Sequence, residues 1–329
     1  MAESITLRNE EKMRSDMKKI TILGATGFIG TNLALALDGK TGLRLVGRDK
    51  KRIECLKTLL RQEAEYLNLC VNELNEGVEF DLVTKDTDIL FHLISTTRPA
   101  NSNLNIPAEI EDNVVLTARL LDSCVRNEVK RVIFFSSGGT VYGNGSTFPI
   151  KEESPINPIS AYGMQKLSIE KLLNIYNYLY GLDYKVIRLS NPYGPYQRPD
   201  GHLGVVSTFI YKTLKGETID IYGDGSVVRD YIYIDDAIRG VLNVAKDNSD
   251  HKIFNLGSGN GRSVKEVLSV IVRTIGITPR IRYLPGRLMD CPVNYLDAGR
   301  YESYYGPLIT VPFEEGVIRT CDHIKRENG

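Results

Sequence analysis

The chain has 329 residues, enough for two lobes sharing a core, and its 42% hydrophobic and 25% charged content are ordinary globular values. Lysine plus arginine balances aspartate plus glutamate at 41 each, so no overall field recruits nucleic acid or an anionic membrane, and a phosphate site has to be local. Five scattered cysteines (Cys55, Cys70, Cys124, Cys291, Cys321) and four dispersed histidines lack the spacing of a disulfide framework or a metal centre, and free thiols suit a reducing cytoplasm.

Residues 1–17 are charged, show no clear period, lack the apolar core of a signal peptide and are expected to form a disordered extension. No apolar run anywhere approaches the ~20 residues of a membrane-spanning helix. Lys19–Leu23 (KITIL) is a short β-branched and apolar run, which predicts a buried strand. A glycine-rich turn follows, then an apolar helix from Phe28 to Leu37 that ends at Asp38-Gly39. Leu43–Val46 reads as a strand, Lys50–Ala64 as a charged helix, and Tyr66–Val71 and Asp88–Ile94 as two more strands. A helix over Asn113–Asn127, a strand at Arg131–Phe135, a helix from Ala161 to Tyr180 and a strand at Tyr184–Leu189 continue the alternation. Strands alternating with helices predict an α/β fold, a Rossmann-type doubly wound parallel sheet covered on both faces.

After Ser190 the texture changes. Proline, glycine and tyrosine become frequent (NPYGPYQRPDGHLG) and the alternation loosens. Residues 18–190 are therefore expected to bind a dinucleotide and residues 191–329 to form a smaller C-terminal substrate lobe, with about 231–256 (Tyr231–Ile234 and Ile253–Leu256) returning to the sheet.

Gly24-Ala25-Thr26-Gly27-Phe28-Ile29-Gly30 sits between the first strand and the first helix, with its glycines spaced G-x-x-G-x-x-G. A tight turn needs a residue without a β-carbon, a pyrophosphate needs close approach to amides at a helix N-terminus, and the third glycine lets helix and strand pack closely. Placement after the first strand makes this a dinucleotide site. At the end of the second strand an acidic residue grips the ribose hydroxyls of NAD, whereas a basic one favours the 2′-phosphate of NADP. Here Arg48 stands where the acid is expected and Asp49 follows. The cofactor is thus NAD or NADP, with a lean towards tolerance of NADP.

Tyr162-Gly-Met-Gln-Lys166 puts a phenol and an ammonium four residues apart, on one helix face. A neighbouring positive charge favours the phenolate, so such a tyrosine can take a hydroxyl proton as hydride leaves the same carbon, or return it in reverse. Tyr211 and Lys215 repeat the spacing, but they lie beyond the texture change, where a surface helix explains them.

Taken together these motifs resemble the extended short-chain dehydrogenase/reductases, specifically the nucleotide-sugar epimerase/dehydratase family. GATGFIG at 24–30, SSGGTVYG at 136–143, YGMQK at 162–166, SNPYGP at 190–195, GDGSVVRDYIYIDD at 223–236, NLGSGNGRSVKE at 255–266 and PGRLMDCPVNYLD at 285–297 occur in the family's order. The resemblance spans about residues 18–329. It implies a nucleotide-diphosphate sugar as substrate, with Asn191 contacting the nucleotide and Arg229 and Arg287 clamping its diphosphate; guanidinium forks suit phosphate oxygens. It implies that Asn113 lies near the cofactor, that Asp235 and Asp236 are structural, and that the chain forms a homodimer through two long helices.

One departure stands out. The family's serine or threonine, three residues before the valine of the V-Y-G triplet, is Gly138 here, leaving Ser137 or Thr140 to supply the catalytic hydroxyl, with Ser137 slightly favoured. The Asp-Glu pair of the family's 4,6-dehydratases is replaced by Gly139 and Thr140, and its decarboxylases carry glutamate at the latter position, so elimination and decarboxylation are disfavoured. Epimerisation at C4 of a UDP-hexose through a transient 4-keto sugar leads. Reduction of a dTDP- or UDP-linked 4-keto sugar by NADPH is the alternative, and a non-catalytic cofactor-binding regulator trails because Tyr162 and Lys166 are both intact.

Overall fold

The computed structural model describes residues 19–69, 78–97, 101–144, 147–199, 204–286 and 291–328; the extension expected at residues 1–17 and the candidate Arg287 lie outside them. Lys19–Leu23 forms strand β1, which pairs in parallel with Gly42–Gly47 (β2) on one side and Ile89–His92 (β4) on the other. Parallel pairing continues from β2 to Glu65–Asn68 (β3) and from β4 to Arg131–Ser137 (β5). Ile20, Ile22, Leu43, Leu45, Leu90, Phe91, Val132, Ile133 and Phe134 are all buried, as strands covered on both faces require.

With Asp183–Leu189 (β6) and Ile253–Leu256 (β10), the sheet has seven strands in the order β10-β6-β5-β4-β1-β2-β3. Strand order reverses between β1 and β4. At such a switch point the loops at the carboxyl ends of the two strands diverge and leave a crevice for a ligand. Around this sheet run Phe28–Leu37 (α1), Lys50–Leu59 (α2), Val78–Thr84 (α3), Ile106–Glu109 (α4), Leu116–Arg126 (α5) and Ala161–Tyr180 (α6).

Two boundaries differ from the sequence expectation for local reasons. Helix α2 stops at Leu59 because the Asp38 carboxylate accepts from the amides of Arg61 and Gln62 at 3.0 and 3.1 Å and draws the chain out of the helix. The helix expected from Asn113 is preceded by α4 and by a π turn over Ile110–Val115, so Asn113 stands inside a widened turn.

Beyond β6, Asn191–Tyr193 (β7) and Val228–Tyr233 (β9) pair in parallel, and β9 also pairs with Gly261–Ser263 (β11) and Val293–Asn294 (β13). Tyr231–Ile234 therefore does not return to the main sheet. The fully buried Asp230 on this strand accepts from Ser258 N and Ser258 Oγ at 2.7 Å and from Leu296 N at 3.0 Å, which ties β9 to the segments that follow β10 and β13. Ile219–Tyr222 (β8) pairs with Ile281–Leu284 (β12). Helices Val205–Lys215 (α7), Ile234–Ala245 (α8), Val264–Ile275 (α9), Gly299–Tyr305 (α10) and Phe313–Asn328 (α11) complete the described chain. By compactness the chain divides into Met1–Phe135 with Gln165–Val186, and Ser136–Met164 with Ile187–Gly329, so the cuts fall within β5, α6 and β6.

Candidate active site

In the first unit the glycine turn follows β1. Gly24 has φ of +101°, and a β-carbon there would press on Ile94 and Leu93 at 3.3 Å. The Gly24 and Ala25 amides each donate to Val46 O at 3.0 Å, so the turn is tied to the end of β2. Gly30 lies against the backbone of Gly24 and Ala25, leaving no room for a side chain where α1 meets the turn. Helix α1 starts at Phe28 with Gly27 as its cap, no side-chain cap bond and no acidic residue in its first turn. Amides of Phe28, Ile29 and Gly30 thus begin a helix whose positive end is uncompensated, which fits a pyrophosphate. Gly47, which sequence reasoning passed over, is required as well: a β-carbon there would meet Thr26 Cγ2 at 2.7 Å.

Asp49 is committed elsewhere. Its carboxylate caps α2, accepting from Lys51 N at 3.0 Å and Arg52 N at 3.3 Å, and pairs with the Arg52 guanidinium at 3.0 Å. Arg48 beside it is exposed at the tip of β2. Asn113 is buried and clamps the loop after β4: its Oδ1 accepts from Thr96 N at 3.0 Å, and its Nδ2 donates to Thr96 Oγ1 at 2.8 Å. Lys166 is also buried; its Nζ donates to Phe135 O at 2.9 Å and lies over the Phe134 ring. Burial lowers its pKa to about 8, with Glu170 and Glu109 opposing that drop.

The second unit holds the other candidates. Ser160 caps α6, accepting from Gly163 N at 3.1 Å, so Tyr162 sits in the first turn. Gly163 allows that turn to touch the loop after β5, because a β-carbon would stand 2.7 Å from Thr140 O. In that loop Thr140 N and Val141 N donate to Ser137 O at 3.3 and 3.1 Å. Any side chain at position 138 would collide with the fully buried Leu296, which explains the glycine where the family carries a hydroxyl. Ser137 is half-buried. Thr140 Oγ1 is shielded from solvent and has no hydrogen-bond partner among the described residues. The following Val141-Tyr142-Gly143 triplet is architectural: Tyr142 OH donates to Asn255 Oδ1 at 2.7 Å, the Arg188 guanidinium donates to the same phenol at 3.0 Å, and Gly143 lies against Asn157 O.

Asn191 donates through Nδ2 to Asp230 O at 2.8 Å. Arg229 donates to Cys291 O at 2.6 Å, which holds its side chain beside the strand. Residues 229, 231 and 233 share one face of β9. A cavity of about 180 Å³ is lined by Tyr193, Tyr231, Tyr233, Arg262 and Phe313 among others. Asp236 accepts from Thr310 N and Val311 N at 3.1 and 3.0 Å, a structural use. Besides Gly47, sequence reasoning missed Asp230, Leu296 and the fully buried Asn294, whose Nδ2 donates to Gly138 O at 3.2 Å. The acidic Asp230 flanked by Arg229 and the run YIY in strand β9 was the available signal.

A glycine turn at the switch point of a 3-2-1-4-5-6 parallel sheet, with a tyrosine and a buried lysine on one helix, defines a nicotinamide-dependent enzyme of the extended short-chain dehydrogenase/reductase type. Residues 20–257 match the NAD dependent epimerase/dehydratase family. The chain belongs to that family. It is 33% identical to a UDP-glucose 4-epimerase of Mycolicibacterium smegmatis, over 93% of this chain and 98% of the relative. It is 32% identical to a dTDP-4-dehydro-6-deoxyglucose reductase of Escherichia coli, over 93% and 97%. A crystal structure of UDP-glucose 4-epimerase from Thermotoga maritima with UDP-glucose superposes with a TM-score of 0.86 at 31% identity, over 94% of this chain and 100% of that one. NAD accompanies several of the similar structures. This chain is an enzyme that binds NAD(P) and works by hydride transfer. No described helix is long and apolar enough to cross a membrane, and no described cluster of histidine, cysteine or carboxylate side chains suits a metal ion.

Proposed function

We propose that the enzyme epimerises a UDP-linked hexose at C4 through a transient 4-keto sugar. The observation that carries this reading is the loop after β5, where Gly138, Gly139 and Thr140 offer no carboxylate. Elimination and decarboxylation lack an acid and a base there, whereas proton transfer by Tyr162 is provided for. Bound NAD(P) supplies a reversible hydride acceptor. The amides of Phe28, Ile29 and Gly30 hold its pyrophosphate, Asn113 fixes the loop beside it, and Lys166 presents an ammonium one helical turn from Tyr162. That ammonium favours the Tyr162 phenolate, which takes the C4 hydroxyl proton and returns it after the sugar has turned over. Thr140 supplies the second hydroxyl, ahead of Ser137, because its oxygen has no hydrogen-bond partner among the described residues and would gain one from a sugar hydroxyl. Asn191, Arg229 and Arg287 bind the nucleotide diphosphate, with residues 18–190 serving the cofactor and 191–329 the substrate.

Reduction of a 4-keto sugar by NADPH is the second reading. It draws on the commitment of Asp49 to its helix cap beside the exposed Arg48, and on the likeness to the E. coli reductase. Purification without added cofactor, followed by denaturation and mass spectrometry of released nucleotide, separates the two. Retained NAD supports the epimerase, which must keep its reduced cofactor while the sugar turns. An empty site that prefers NADPH on add-back supports the reductase, and binding of neither nucleotide defeats both.

The same reading includes a homodimer through α5 and α6. Tyr176 OH donates to Asp122 at 2.6 Å and holds the two helices side by side, while Val115, Ile175, Tyr178 and Leu179 remain exposed. Sedimentation of a monomer would end that part. We place the enzyme in the cytoplasm, where unpaired thiols such as Cys55, Cys124 and Cys321 persist.

A further inference from the structure

The turn after β5 contains the pair Gly138-Gly139, and glycine leaves a backbone more conformations than any other residue. The pair has no side chains with which to hold itself: position 138 admits none, and at 139 the nearest neighbour of a β-carbon would be Ser137 Oγ, 3.8 Å away. Backbone bonds fix the turn on either side, from Gly138 N to Leu189 O at 2.9 Å and from Val141 N to Ser137 O at 3.1 Å. The peptide between the two glycines is held through a side chain, for Asn294 Nδ2 donates to Gly138 O at 3.2 Å. This turn presents Thr140, and a misplacement of about 1 Å in a group that meets reacting atoms can cost about 10²-fold in rate.

Asn294 belongs to a segment whose position does not depend on that side chain. Val228 N donates to Pro292 O at 2.9 Å, Ile150 N to Tyr295 O at 2.9 Å, and Leu296 N to Asp230 Oδ2 at 3.0 Å. The amide itself is fully buried and half used: its Oδ1 has no hydrogen-bond partner among the described residues. An apolar side chain would serve better if filling space were the task, because a buried polar atom without a partner is costly. Two residues further on, Leu296 closes the space beside Gly138. One short stretch therefore excludes a side chain at position 138 and holds that residue's carbonyl.

We propose that Asn294 is a positioning residue for the reaction: by holding the Gly138 carbonyl it stops the Gly138-Gly139 peptide from rotating and keeps the Thr140 hydroxyl aimed at the sugar. This rests on the reading of Thr140 as the second hydroxyl. Arg229 stands opposite Asn294 in the pairing of β9 with β13, but its guanidinium donates to Val228 O and Cys291 O, so loss of the amide leaves that side chain in place.

The test uses full chains, substrate-free for hydrogen exchange and with UDP-glucose for kinetics. Leucine has the branching of asparagine with methyl groups in place of Oδ1 and Nδ2, so Asn294→Leu removes the donor with little change of shape. Asn294→Ser, too short to reach the carbonyl, covers the case in which the larger side chain prevents folding. In either variant the Thr140 and Val141 amides are expected to exchange at least about tenfold faster than in wild type, with a melting temperature within about 4 °C. With substrate, kcat should fall about tenfold or more while KM stays unchanged. That loss should vanish in a Thr140→Val background, because a residue acting through the hydroxyl then has nothing left to position. Wild-type exchange at these amides, or losses in kcat that multiply in the double variant, overturns the proposal. Failure of the underlying reading looks different: Thr140→Val alone then keeps full activity, whatever the Asn294 variants do.

Discussion

Valine has the shape of threonine with a methyl group in place of the hydroxyl, so Thr140→Val deletes Oγ1 and opens no cavity. That oxygen is shielded and unpartnered among the described residues. Leaving a hydroxyl in such a place costs about 1–3 kcal/mol. Thr140 lies on a half-buried loop, so the low end applies, and the variant should gain about 1 kcal/mol, which is ~2–4 °C in melting temperature for units of this size. Activity should move the other way. A hydrogen bond that tightens on a reacting oxygen carries roughly 2.7–4 kcal/mol of the barrier, so kcat should fall by about 10²-fold or more with little change in KM. Ser137→Ala is the control, with an expected loss below about tenfold. Thermal unfolding followed by circular dichroism reads the first effect, and a coupled assay of UDP-hexose interconversion reads the second. A Thr140→Val enzyme that is fully active, or one that is less stable while Ser137→Ala takes the large loss, refutes the assignment.

Tyr162→Phe should lower kcat by about 10²–10⁴-fold and leave NAD(P) affinity within about threefold, measured by steady-state kinetics and calorimetry; retained activity would remove Tyr162 from the chemistry. Arg48→Glu should weaken NADP binding at least about tenfold relative to NAD, and equal loss for both nucleotides would mean that Arg48 does not read the 2′ position. His92 is fully buried, its Nε2 2.9 Å from Thr117 Oγ1, and burial lowers its pKa from 6.5 to about 3. Between those values the unfolded chain binds the extra proton, so the stability due to neutral His92 is lost as pH falls through that window, at up to about 1.4 kcal/mol per pH unit. His92→Gln should flatten that slope in urea unfolding below about pH 6, and an unchanged slope would show that other groups set it.

Much was legible in the sequence because local rules act on neighbouring residues. KITIL could only be a buried strand, and a G-x-x-G-x-x-G run between it and an apolar helix had one use. The helix expected from Ala161 to Tyr180 runs between those two residues, so the spacing of Tyr162 and Lys166 translated directly into a shared face.

Other features belong to pairs of residues far apart in the chain, and sequence has no way to state them. Gly138 is a glycine because Leu296 fills the space beside it, and Thr140 stands out because nothing among the described residues bonds its hydroxyl. Asp49 looked available to a ribose until its carboxylate was found capping the next helix. Strand β9 looked ready to rejoin the main sheet, but its ladder partners are β7, β11 and β13, segments far from it in the chain. Sequence therefore determined the elements, the cofactor turn and the tyrosine–lysine helix, which rest on spacing within about one turn or one strand. Tertiary structure decided which polar groups were already satisfied and which were left to act, because hydrogen-bond satisfaction and steric room depend on partners that only folding brings together.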